Sequence, residues 1–130
     1  LEARVRGEVP AWDAAQLRAA MRADHGYKPD SPQIAWLIRV MVELGPDDRR
    51  LLLRFLTGCP ALPSGGLAQL SPPLTVVRKD PDHPNRPDDM LPSVMTCANY
   101  LKLPEYSCID VLRQRLTTAM REGQLSFLLS

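Results

Sequence analysis

Leu91-Pro92-Ser93-Val94-Met95-Thr96-Cys97-Ala98-Asn99-Tyr100-Leu101-Lys102-Leu103-Pro104 sets the terms on which the rest of the chain is read. A cysteine directly follows a threonine inside an apolar run fenced by prolines. The run is too short for an ordinary helix, and its prolines mark it as a strand or a loop crossing. A thiol on a short extended or looped segment can be presented to a partner, whereas a thiol inside a packed helix is enclosed. These residues alone leave two readings of Cys97 open: a reactive group, or a small buried hydrophobe.

Downstream, Ser107 with Asp110 three residues on makes a capping-box-like helix start. Ile109, Leu112, Leu116, Ala119 and Met120 form the apolar stripe of a final helix, which Gly123 is expected to end. Phe127, Leu128 and Leu129 then run to the terminus in a tail read as flexible (residues 124–130). Upstream, Lys79 to Asp89 is polar and proline-rich, an exposed loop. Leu74 to Val77 carries the best strand signal, with Thr75, Val76 and Val77 all β-branched. Pro60 to Pro73 is loop, with Gly65-Gly66 at a tight bend. Eight of the 13 prolines lie between Pro60 and Pro92, so this region connects elements and does not form a helical layer.

Three helices are expected before it. Asp13 is an N-cap for a helix that carries Leu17 and Met21 one turn apart and ends before Asp24-His25-Gly26-Tyr27. Ser31-Pro32 opens the second, in which Ile34, Leu37, Ile38, Met41 and Leu44 repeat at helical steps and Trp36, Val40 and Val42 widen the stripe. Gly45 stops it. Pro46-Asp47-Asp48 opens the third, with acids where the helix dipole favours them, and Gly58 closes it. Helices with a few short strands imply an α+β domain, with a short mixed sheet of about four strands packed with helices.

The bulk figures agree with one soluble domain. The chain has 130 residues, 45% hydrophobic and 24% charged, and a net charge of +1. That balance gives no electrostatic ground for nucleic acid or an anionic membrane as partner. No apolar run approaches the roughly 20 residues of a membrane span. Cys59, Cys97 and Cys108 form no CxxC and no His/Cys cluster, so neither a metal nor a cofactor is implied. An odd cysteine count without a framework fits a cytoplasmic or nuclear setting. The chain begins at Leu1 rather than Met and is expected to be a piece of something longer.

Taken in order, Arg49-Arg50-Leu51-Leu52-Leu53-Arg54-Phe55-Leu56-Thr57-Gly58, then Leu74-Thr75-Val76-Val77-Arg78-Lys79, then the Leu91–Pro104 stretch, then Phe127 followed by three residues, resemble the end of a HECT ubiquitin ligase. Asp24-His25-Gly26-Tyr27 resembles the ubiquitin-fusion-degradation (thyroid-receptor-interactor-like) branch of that family. The resemblance runs from about Trp12 to Ser130. It implies that residues 12–130 are the small C-terminal catalytic lobe and that residues 1–11 are an inter-lobe linker or a remnant of the N-terminal lobe. The missing lobe would bind the ubiquitin-charged conjugating enzyme (E2), so the fragment alone is expected to lack full ligase activity.

The same resemblance assigns roles. Cys97 is the nucleophile that accepts ubiquitin as a thioester and passes it to a lysine of a protein substrate. Thr96 either hydrogen-bonds the reacting group or stiffens the backbone. Asn99 either fixes the loop or binds the ubiquitin tail. Phe127 serves the transfer step by docking the tail, and Leu91 either touches donor ubiquitin or belongs to the core. Many family members place a histidine two residues before the cysteine. Here Met95 stands there, so no imidazole base is assigned beside Cys97, and His25 and His83 receive no role. Cys59 and Cys108 are read as structural or incidental. The rival from another class is a non-catalytic ubiquitin- or partner-binding module in which Cys97 only packs. A thiol hydrolase would need a histidine base for which no motif is present.

Overall fold

Four short strands line up in the order β1 (Met21–Asp24), β2 (Leu74–Lys79), β4 (Tyr100–Pro104) and β3 (Ser93–Met95). The computed structural model describes residues 11–58, 67, 70–81 and 86–129, with side chains as far as Gly123. β1, β2 and β4 run parallel, and β3 turns back antiparallel onto β4 with Met95 opposite Tyr100. Side chains alternate across a strand, so Leu74, Val76, Leu101 and Leu103 share one face, and none is more than 1% exposed. The helices cover that face, giving the expected α+β domain with a four-stranded mixed sheet.

Parallel neighbours need a crossover connection, and α2 (Pro32–Glu43) and α3 (Pro46–Thr57) supply the one between β1 and β2. Ile34, Leu37, Ile38, Val40 and Met41 of α2 are buried, as are Leu52, Leu53 and Leu56 of α3. Val42 is 37% exposed, so the α2 stripe is narrower than the sequence suggests. α4 (Ile109–Leu129) packs across both helices through Leu112, Leu116, Ala119 and Met120. Arg113 meets Glu43 at 3.0 Å along the same seam. Tyr27 donates from its buried hydroxyl to the carbonyls of Leu103 and Pro104, fastening the turn after β1 to the end of β4.

The local signals mostly hold. Asp13 caps α1 (Ala14–Ala20) in a full capping box, its carboxylate accepting from the Gln16 N–H at 2.7 Å. Ser31 occupies the N-cap of α2, but its hydroxyl accepts from the Lys28 N–H and makes no cap bond. Gly58 ends α3 in the left-handed conformation at φ 70°.

Three expectations fail, each to a tertiary contact. Met21–Asp24 leaves the first helix and pairs with Leu74–Val77, because an edge position beside β2 satisfies its backbone better than a further helical turn. Ser107 does not form a capping box with Asp110. Its N–H and hydroxyl both donate to the Asp88 carboxylate, at 2.9 and 2.6 Å, while Asp110 pairs with Arg113. α4 does not stop at Gly123, since its backbone is helical to Leu129. Gly123 serves packing instead: a Cβ there would lie 3.1 Å from the Phe55 ring. The linker Leu1–Pro10, the Gly65-Gly66 bend, Cys59 and His83 lie outside the described residues, as does the side chain of Phe127.

Candidate active site

The β3–β4 hairpin closes on the pair Met95 and Tyr100, leaving Thr96, Cys97, Ala98 and Asn99 to make the turn. Thr96–Ala98 is a single 3-10 turn, and Asn99 ends it in the left-handed conformation with φ 55° and ψ 43°. Asparagine adopts that region more readily than other residues bearing a Cβ. Its backbone N–H donates to the Thr96 carbonyl at 3.3 Å, closing the turn on itself.

Asn99 also ties the turn to the sheet. Its side-chain Nδ2 donates to the Pro72 carbonyl at 2.7 Å, and its own carbonyl accepts from the Thr75 N–H at 3.0 Å. Asn99 itself is buried, at 8% exposed, and its bond to the exposed Pro72 is partly sheltered. Pro72 and Thr75 flank the start of β2, and the turn therefore cannot swing independently of the central strand.

Cys97 sits in the middle of this turn as an exposed free thiol, with exposed Met95 and Thr96 beside it. Thr96 rests on Gly58 at the end of α3. Thr96 makes no side-chain hydrogen bond to a described residue. A thiol so placed can reach a bulky partner without any part of the fold moving aside, which is what a nucleophile towards another protein requires.

Leu91 lies six residues before the thiol, half-buried between the buried residues Met90 and Pro92. Its carbonyl accepts from Lys79 Nζ at 2.8 Å. His25, at positive φ after β1, brings its ring to 6.4 Å from the Tyr100 ring, centroid to centroid, and lies 3.9 Å from Asp24. Among the described residues no hydrogen bond joins Cys97 to a histidine. Cys108, the other exposed thiol among the described residues, lies just ahead of α4. Sequence reasoning missed the supports of the turn, Gly58 and Pro72, and the lysine that holds Leu91. The one hint of such a brace was the loop-fixing role that the resemblance left open for Asn99.

The sequence profile of the HECT-domain (ubiquitin-transferase) family matches residues 1–130. The chain belongs to the HECT family. It is similar to the E3 ubiquitin-protein ligase TRIP12 of Danio rerio, with 51% identity over 92% of this chain and 6% of that protein. A probable ubiquitin fusion degradation protein of Schizosaccharomyces pombe is 53% identical over 92% of the chain and 7% of its own length. Ubiquitin fusion degradation protein 4 of Saccharomyces cerevisiae is 49% identical over 92% and 8%. The HECT chain thus spans less than a tenth of these relatives. Among its described residues, no helix is long and apolar enough to cross a membrane.

Proposed function

We propose that this HECT chain is the small catalytic lobe of an E3 ubiquitin ligase, and that Cys97 carries ubiquitin between a charged E2 and a substrate lysine. The observation that supports this best is the exposed thiol at the centre of a turn braced by Asn99. The Cys97 thiolate attacks the carbonyl carbon of the ubiquitin–E2 thioester. A new carbon–sulfur bond forms, the old one breaks, and the E2 cysteine leaves as thiolate. A lysine amine then attacks the same carbon, sheds a proton, and releases the Cys97 thiolate as an isopeptide bond forms. Exchange of one thioester for another is nearly balanced in energy and keeps the acyl group reactive towards amines.

Within this reading Asn99 fixes the turn, Thr96 spaces it from α3, and Leu91 touches donor ubiquitin. Phe127 docks the tail during transfer to lysine, and residues 1–11 join the lobe to the E2-binding one. The test uses the complete two-lobe protein with activating enzyme, E2 and ubiquitin, resolved on a non-reducing gel. Wild type yields a thiol-sensitive ubiquitin adduct, Cys97→Ala yields none, and Cys97→Ser yields a thiol-resistant oxygen ester. A thiol-sensitive adduct on Cys97→Ala sinks the assignment. Deleting residues 127–130 is expected to leave the adduct and abolish discharge to lysine.

A further inference from the structure

The segment that leads into β3 has an unusual way of being held. Pro87–Asp89 makes one 3-10 turn, in which the carbonyls of Arg86 and Pro87 accept from the N–H groups of Asp89 and Met90. Within it and just beyond, three carbonyls are each taken by a side chain from a different part of the fold. Arg115 of α4 donates from Nε to the Asp88 carbonyl at 2.9 Å. Tyr106, fully buried, donates from its hydroxyl to the Met90 carbonyl at 2.6 Å. Lys79, at the end of β2, donates from Nζ to the Leu91 carbonyl at 2.8 Å.

Three separately rooted donors on one four-residue stretch fix its path in space far more tightly than a loop needs in order to stay folded. The Lys79 bond acts on the peptide between Leu91 and the buried Pro92, so it sets the direction in which the Leu91 side chain leaves the backbone. Met90 and Pro92 are buried, and Leu91 between them is the apolar side chain left partly open to solvent. We infer that Lys79, supported by Tyr106 and Arg115, is a positioning residue that holds Leu91 at a set height where the chain enters β3, at the end of the hairpin away from the Cys97 turn, to receive the apolar surface of donor ubiquitin. This rests on the reading of Leu91 as a ubiquitin contact. A charged ammonium on a carbonyl is among the stronger neutral-acceptor bonds, and lysine's methylene stem lets it reach across from β2.

The experiment is single-turnover transfer from ubiquitin-charged E2 to the two-lobe protein, with the charged E2 varied in concentration. Lys79→Met keeps the stem and removes the donor. It is expected to raise the half-saturating concentration about 3- to 10-fold, as loss of one aligning hydrogen bond does, with little change in maximal rate. Lys79→Arg keeps a donor and restores most of the loss, and Tyr106→Phe shifts the same parameter. The rate at which iodoacetamide alkylates the uncharged Cys97 thiol stays at the wild-type value in Lys79→Met. In a Leu91→Ala background, Lys79→Met adds no further loss, because Lys79 acts through Leu91. If Lys79→Met leaves the half-saturating concentration unchanged, or costs as much with Leu91 as without it, the inference is overturned while ubiquitin binding by Leu91 stands. If Leu91→Ala itself has no effect on transfer, both fall, and the Cys97 assignment is judged separately on its own gel.

Discussion

Thr96 stands over the open side of Gly58 at the base of the thiol-bearing turn: a Cβ on Gly58 would stand 3.2 Å from Thr96 Cγ2. One glycine therefore answers two demands. It ends α3 at φ 70°, and it leaves room for the residue that precedes Cys97. Gly58→Ala would place a Cβ in the left-handed region, at about 1–2 kcal/mol, and press on Thr96 as well. The expected result is a lower denaturant midpoint at unchanged slope, together with slower ubiquitin loading of Cys97. Gly58→Asn accepts the backbone conformation more readily, so its stability should fall less while its loading stays impaired. Equal stability of wild type and Gly58→Ala would contradict the cap geometry.

Asn99 offers a cleaner separation of backbone from side chain. Asn99→Gly preserves the left-handed turn and deletes the amide, leaving the Pro72 carbonyl without its 2.7 Å donor. The Pro72 end of that bond faces solvent, so its loss costs about 0.5–1.5 kcal/mol, the net worth of an ordinary hydrogen bond. Asn99→Ala adds the conformational penalty of a Cβ at φ 55° and should be the less stable of the two. Asn99→Asp keeps the shape but sets a carboxylate oxygen against a carbonyl, and should be worse than Asn99→Gly. Thermal unfolding of the four proteins orders them, and an Asn99→Asp as stable as wild type would refute the bond to Pro72.

These supports also show where reading from sequence stops. Local chemistry located the strand from Leu74, the caps at Asp13 and Gly58, and the buried stripes of α2 and α4, because each rests on residues a few positions apart. The α+β class was legible for the same reason, whereas the residues around Cys97 left two readings of its thiol open and only the order of motifs along the chain assigned it a role. What stayed hidden depends on partners far away in sequence. Met21–Asp24 becomes a strand only because Leu74–Val77 arrives beside it, 53 residues later in register. Ser107 chooses Asp88 over Asp110 only because the 3-10 turn at Pro87 is delivered to it. Gly123 has the composition of a helix end and the job of a contact with Phe55.

Tyr27 is a test of the long-range fastening. Its hydroxyl, 2.8 Å from the Leu103 carbonyl and 3.0 Å from that of Pro104, is the polar link between the Gly26 turn and the end of β4. Burial pushes the phenol above its ordinary range, so it stays protonated and donating at any pH the fold tolerates. Tyr27→Phe keeps the ring and removes the donor. It should cost about 1–3 kcal/mol by chemical denaturation and should not alter the pH dependence of stability near neutrality. A loss below a few tenths of a kcal/mol would mean that the carbonyls find water instead.

Asp88 gives the acid limb of the stability curve a named contributor. The Ser107 hydroxyl, then its N–H, hold the Asp88 carboxyl below the usual carboxylate range, with Arg86 and Arg115 adding smaller pulls the same way. A carboxyl with a lower pKa folded than unfolded stabilises the fold above the unfolded value. That contribution fades as the pH drops below about 4 and is gone once it has passed the lower, folded value. Wild type should therefore lose more stability than Asp88→Asn between about pH 5 and pH 3. The asparagine can still accept a hydrogen bond from Ser107 but cannot titrate. The group is exposed, so the difference should be small and should shrink further in high salt. Every other carboxylate titrates alike in both proteins and cancels in the comparison. Parallel acid limbs would mean that Ser107 meets Asp88 without favouring its charge.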